Sequence, residues 1–138
     1  MRLEINKTVP CRLPISRLNY LMRAAVRPYD HKLLAQELSV VVVDGRAMKK
    51  INRIYAKKNT ATDVLSFDYG EIIINYSLAV KQARQHGLTA SREIALLFTH
   101  GLLHILGFDH KRAKDKKRMR LVEEKLLGYG GLVGRGKR

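Results

Sequence analysis

Histidine is the commonest metal-binding side chain, and three of this chain's five histidines fall in one stretch, His100-Gly-Leu-Leu-His104-Ile-Leu-Gly107-Phe-Asp-His110. Residues four apart on a helix lie one turn above each other, so His100 and His104 can present neighbouring imidazoles on one face. Gly107 offers the left-handed backbone that ends a helix and turns the chain back. That turn would bring His110 round to the open side of the first two. Three nitrogen donors with a vacant fourth position are how a catalytic zinc is held, whereas structural sites close all four. A zinc-bound water held by His100, His104 and His110, its pKa lowered towards about 7, could attack a phosphodiester or a carbonyl.

The spacing is that of the long zinc-peptidase motif H-E-x-x-H-x-x-G-x-x-H, with one change. Where those enzymes carry a glutamate general base, this chain has Gly101. The metal geometry is retained and the peptidase base is absent. The bland alternative is three histidines filling polar positions around a helix end. It leaves imidazoles short of partners in the apolar segment Ile94 to Leu106, and burying unpaired polar groups is costly. Asp109 could orient an imidazole from behind, as zinc histidines require, or could be a turn aspartate on the surface. Glu93 lies two turns before His100; it could accept a proton, but a glutamate in a first helical turn also simply suits the helix dipole.

The elements that must carry these residues are legible in outline. Thr89 or Ser91 caps a long apolar helix that runs into the histidines. A last helix from about Lys111 to Leu127 turns Met119, Val122, Leu126 and Leu127 inward and most of its lysines and arginines outward. Earlier, residues 2 to 6 alternate as a short strand. Ser16 is placed to cap a helix with Leu18, Leu21, Met22, Ala25 and Val26 on one face, ending before Pro28. Leu38 to Val43 is a β-branched, largely buried strand. Residues 46 to 57 set Met48, Ile51, Ile54 and Tyr55 at helical spacing opposite Arg46, Lys49, Lys50, Arg53, Lys57 and Lys58. Val64 to Phe67 and Glu71 to Asn75 form a hairpin across Asp68-Tyr69-Gly70. Ser77 to Gln85 is a helix ending at Gly87. The order gives one α+β domain over residues 1–127, a small mixed β-sheet packed against helices with the histidine helix central. Residues 128–138 are a Gly-rich, basic, mobile tail.

Length and apolar content suit one domain with a substantial core. The net charge of +15 is unusual and points to a polyanionic partner, most often nucleic acid. A membrane surface competes as an explanation, and general solubility charge is the plain alternative. The basic stretches 46–58 and 111–120 are the expected RNA-facing surfaces, with affinity but little base specificity because they would contact phosphates. Tyr55, Phe67, Tyr69 and Phe108 could stack on unpaired bases, with core packing expected for all but Tyr69. The single Cys11 excludes an internal disulfide and a cysteine metal cluster, and fits a reducing compartment. No apolar run reaches the roughly 18 residues of a membrane span and no signal-peptide core is present, so a cytoplasmic protein is expected.

His100 to His110 resembles the signature of the bacterial YbeY family, zinc-dependent endoribonucleases linked to ribosomal RNA maturation. The stretch Asn52-Arg-Ile-Tyr55-Ala-Lys-Lys-Asn-Thr-Ala-Thr62-Asp63-Val64-Leu65-Ser66-Phe67 is similar to that family's N-x-x-Y-R-x-x-x-x-P-T-D-V-L-S-F, and Gly70-Glu71-Ile72-Ile73-Ile74 to its G-D-I-x-I. The resemblance spans about residues 38 to 127. It implies the same α+β architecture, one Zn2+ per chain on His100, His104 and His110, and the second motif near the metal. It also implies single-stranded ribosomal RNA and ribosomal subunits as partners, in maturation of the 3′ end of 16S rRNA and in quality control, with no membrane and no nucleotide cofactor. Imidazoles alone would suit zinc or nickel; the resemblance supplies zinc.

The chain departs from that pattern where the family's arginine follows the tyrosine: here it is Ala56, and the proline position is Ala61. Losing the arginine removes a bidentate phosphate clamp. Arg53 and Lys57 are the nearest substitutes, with Lys111 and Arg112 beyond the histidines, although a lysine is a point charge and not a planar fork. Two rivals therefore stand beside the nuclease. One is a ribosome-associated RNA-binding factor with a structural metal and little hydrolysis. The other is a zinc hydrolase acting on a peptide or small amide, which Gly101 and the charge disfavour.

Overall fold

A computed structural model describes residues 1–28, 36–55, 62–108 and 112–128. Four strands, β1 (Arg2–Lys7), β2 (Glu37–Val43), β3 (Val64–Phe67) and β4 (Glu71–Asn75), form one sheet in the order β1-β2-β4-β3. β1 pairs with β2 and β2 with β4 in parallel, while β3 and β4 form the expected antiparallel hairpin, Val64 opposite Ile74 and Phe67 opposite Glu71. Five helices are described: α1 (Ile15–Val26), α2 (Gly45–Tyr55), α3 (Tyr76–His86), α4 (Ala90–Ile105) and α5 (Ala113–Leu127). This is the α+β unit with a mixed sheet that the sequence implied.

Side chains alternate across a strand, so β2, β3 and β4 each serve two cores. Leu38, Val40, Val42, Ile72 and Ile74 point to the main core with α1 and α4, including Leu18, Leu21, Phe98 and Leu102. Val43 and Ile73, with Val41, Leu65 and Phe67, point the other way and pack on Met48, Ala47 and Ile51 of α2. α2 and α4 therefore lie on opposite faces of the sheet.

α4 is the central helix. Ten of its sixteen residues are buried, from Glu93 to Leu103. A helix apolar nearly all round belongs inside a core, not on its surface. Thr89 caps it by accepting a hydrogen bond from the Arg92 N–H at 3.2 Å, the better of the two expected caps. Thr99, fully buried, satisfies its hydroxyl on the Ala95 carbonyl at 2.8 Å.

Two local expectations are corrected. α1 begins at Ile15 with Pro14 as its N-cap and no side-chain cap, so Ser16 does not cap it. Proline's fixed φ already suits a helix start. On α2 the buried residues are Met48 and Asn52, whereas Ile54 and Tyr55 are 60% and 67% exposed. The last turn of α2 meets the end of a four-residue edge strand, with Tyr55 edge-on against Phe67 at 5.6 Å, so little sheet lies there to cover it. Asp109, His110, Lys111, Ala56, Lys57, Ala61, His31 and the tail beyond Gly128 lie outside the described residues.

Candidate metal centre

His100 and His104 sit in the last two turns of α4, and their rings meet as the i, i+4 spacing requires. The centroids are 4.7 Å apart at 77°, and the two Nε2 atoms face each other at 3.2 Å. Nitrogens turned together in this way either share a proton or direct both lone pairs at one cation. In a tetrahedral zinc site with bonds of 2.0–2.1 Å, neighbouring nitrogens stand about 3.3–3.4 Å apart. The separation of the pair matches that of two ligands on one metal ion.

The second nitrogen of His100 is fixed by a residue the sequence reading missed. Glu123 of α5 is 3% exposed and places Oε2 3.0 Å from His100 Nδ1. An ionised carboxylate only accepts hydrogen bonds, so the imidazole proton resides on Nδ1 and the Nε2 lone pair is left to donate. A buried carboxylate is costly unless paired, and His100 is its partner. Glu123 gives His100 the orienting contact that zinc histidines require. The signal was present: Met119, Glu123 and Leu127 recur every four residues, so a carboxylate occupies the buried stripe of an otherwise strongly basic helix.

α4 ends on the turn that its glycine implied. Gly107 takes φ +101, its N–H donates to His104 O at 3.0 Å, and the Phe108 N–H reaches back to Leu103 O at 2.9 Å. These are the two bonds of a Schellman motif, which reverses the chain immediately before the segment that carries His110. Phe108 is partly buried beneath the Arg118 guanidinium, 5.5 Å from the ring centre, and so ties the turn to α5.

Gly101 has a packing reason. A β-carbon there would lie 3.1 Å from Ile72 Cγ2 and 3.4 Å from Val64 Cγ2. The position faces the sheet at close approach, and a peptidase-type glutamate has no room. Val64 opens β3, so this contact also brings the second motif alongside the histidine helix. Within that motif Asp63 is a tie: its carboxylate accepts from Gln82 at 3.3 Å and its carbonyl from the Asn75 N–H at 2.9 Å. Asn75, 2% exposed, caps α3 through Leu78 and donates to Thr62 O.

Among the described residues, the other side chains singled out from sequence make their contacts elsewhere. Arg53 is exposed on α2, across the sheet from α4. Arg112 is exposed at the start of α5 and pairs with Asp115 at 2.8 Å. Glu93 is not a plain first-turn residue; it is fully buried and held by His86 Nδ1 at 2.9 Å, joining the end of α3 to the start of α4.

Fold and sequence together place the chain in a known class of protein. A family model described as Endoribonuclease YbeY matches residues 11–130. Proteins named Endoribonuclease YbeY include one from Myxococcus xanthus, 43% identical over 74% of this chain and 39% of its own length. Another, from Carboxydothermus hydrogenoformans, is 35% identical over 83% of this chain and 87% of its own. The chain thus spans well under half of the Myxococcus relative and most of the Carboxydothermus one. The solution structure of TM1509 from Thermotoga maritima shares the fold, with a TM-score of 0.61 over 92% of this chain and 90% of that one at 21% identity. The chain belongs to the endoribonuclease YbeY family, whose members are by name hydrolytic nucleases.

Proposed function

We propose that this chain is a zinc-dependent endoribonuclease that cuts single-stranded RNA, with one zinc on His100, His104 and His110. Its setting would be the cytoplasm, on ribosomal RNA and ribosomal subunits, in maturation of the 16S 3′ end and in quality control. The observation that carries the reading is the His100–His104 pair, set at a tetrahedral ligand spacing and held from behind by buried Glu123. When bound, zinc supplies Lewis acidity and activates water at neutral pH.

The chain's own residues do the rest. Glu123 keeps the proton on His100 Nδ1 and so keeps Nε2 a donor. Gly101 seats α4 against β3 and β4, which fixes the height of both rings above the sheet. The exposed cations of α2 and α5, in a chain of net charge +15, attract the phosphate backbone and gain from counterion release.

A second reading rests on Ala56. Without an arginine there, the chain could bind RNA around a structural metal and hydrolyse it poorly. The deciding experiment compares cleavage of unstructured and duplex RNA by metal-loaded parent, His104→Ala and Ala56→Arg proteins. The proposal expects the parent to cut the unstructured strand and His104→Ala to spare it. An inert parent with an active Ala56→Arg protein would favour the binding factor. Inactivity of all three would end the nuclease reading.

A further inference from the structure

Two exposed tyrosines that the metal centre does not use are joined through a half-buried phenylalanine. Tyr55, at the end of α2, and Tyr69, in the β3–β4 turn, are 67% and 73% exposed. Between them lies Phe67, edge-on to Tyr55 at 5.6 Å and stacked on Tyr69 at 5.5 Å with 27° between the planes. Single exposed aromatics are ordinary, but two bridged by a third ring make a wider apolar surface. We propose that Tyr55, Phe67 and Tyr69 form a stacking platform for unpaired bases of a single-stranded RNA, flanking the proposed cleavage centre.

Three features favour RNA over a protein partner. First, the helix that ends in Tyr55 exposes Arg46, Lys49, Lys50 and Arg53, whereas the cores of protein interfaces are depleted in lysine. Rings beside a cationic track are the combination that binds single strands, because every base offers a π-face and every linkage a negative charge. Second, the Tyr69 hydroxyl donates to the Glu71 carboxylate, which fixes the ring sideways and pushes its pKa up to about 12. The carboxylate at the hydroxyl end of the ring disfavours phosphate there, which leaves the ring face to a base. Third, β3 is an edge strand of the sheet, and its other end touches the histidine helix through Val64 and Gly101. From Val64 to Phe67 is roughly 10 Å along the strand. RNA rounding that edge could place nucleotides next to the scissile one on the platform.

The inference rests on the single-strand nuclease reading, and its test separates the two. With metal chelated so that RNA stays intact, affinity is measured for a short oligoadenylate and for a base-free ribose-phosphate strand of equal length. The parent should prefer the strand with bases. A Tyr55→Ala/Tyr69→Ala protein should lose about 5- to 150-fold in affinity for the oligoadenylate per base unstacked, with affinity for the base-free strand and the salt dependence unchanged. Tyr69→Phe should retain the preference, since stacking needs the ring and not the hydroxyl. Both tyrosines are exposed, so the variants should melt with the parent. No preference in the parent, or an oligoadenylate affinity untouched in the double variant, overturns the platform and leaves the rings to a protein partner. Failure of the metal-loaded parent to cut RNA would instead strike the nuclease reading and leave a measured base preference standing.

Discussion

Replacing Glu123 by glutamine tests whether this carboxylate is there to serve the metal or to hold the fold. The amide keeps the shape of the side chain and can still turn its carbonyl to His100 Nδ1. What disappears is the charge. A hydrogen bond to an ion contributes about 1.5–3 kcal/mol and a neutral one about 0.5–1.5, so about 1–1.5 kcal/mol of imidazole orientation is lost, a factor of about 5–10. The attraction between a buried anion and a dication on the far side of the ring adds to this, and partners of this kind are typically worth 10–100-fold in metal affinity. The metal-free fold behaves differently. Glutamine spares the desolvation of a carboxylate that is 3% exposed, and buried ion pairs often break even against neutral replacements. The expected split is therefore a 10- to 100-fold weaker zinc affinity, read by competition with a chromophoric chelator, beside a metal-free Tm within a few degrees of the parent. Unchanged zinc affinity would refute the argument. A large fall in metal-free Tm would show that Glu123 holds the helices and not the metal.

Three further outcomes follow from the packing. Gly101→Ala pushes a methyl to 3.1 Å from Ile72, a fully buried residue of the sheet; overpacking of about 1–3 kcal/mol should outweigh the roughly 1 kcal/mol gained in helix propensity. A Tm equal to or above the parent's would mean the sheet yields there. Asn75→Ala removes the α3 cap and the bond to Thr62, and should cost about 1–2 kcal/mol in urea unfolding; a loss within error would show the cap to be dispensable. Glu71→Gln should bring Tyr69 from about 12 back towards about 10 in tyrosinate absorbance. The sign follows from the raised folded pKa: above pH 10 the unfolded chain sheds that proton first, so this bond's contribution fades between pH 10 and 12 and is intact at neutral pH. A titration curve unchanged by the substitution would remove Glu71 as the cause.

What the sequence disclosed was local. The i, i+4 histidines and the terminating Gly107 follow from helix geometry and need no tertiary knowledge, and the hairpin, the Thr89 cap and the apolar character of α4 were equally readable. What it concealed was pairing across distance. Glu123 lies 23 residues from His100 in a helix whose many basic residues invite a reading as a solvated face, and its place on the buried stripe was the overlooked signal. Glu93 had a plausible solitary role, and only the meeting of α3 with α4 pairs it with His86. Gly101 looked like the loss of a catalytic base, and its contact with Ile72 and Val64 makes it a spacing residue instead. Tyr55 followed the helical period into the expected core but came to rest where the sheet runs out.

The most direct test is to strip the protein of metal with a chelator and titrate zinc back while following cleavage of a single-stranded RNA. The account predicts no cleavage by the stripped chain, activity rising to a plateau at one zinc per chain, and no recovery in His100→Ala, His104→Ala or His110→Ala proteins. Cleavage that survives chelation, or a His110→Ala protein that follows the parent curve, would contradict it.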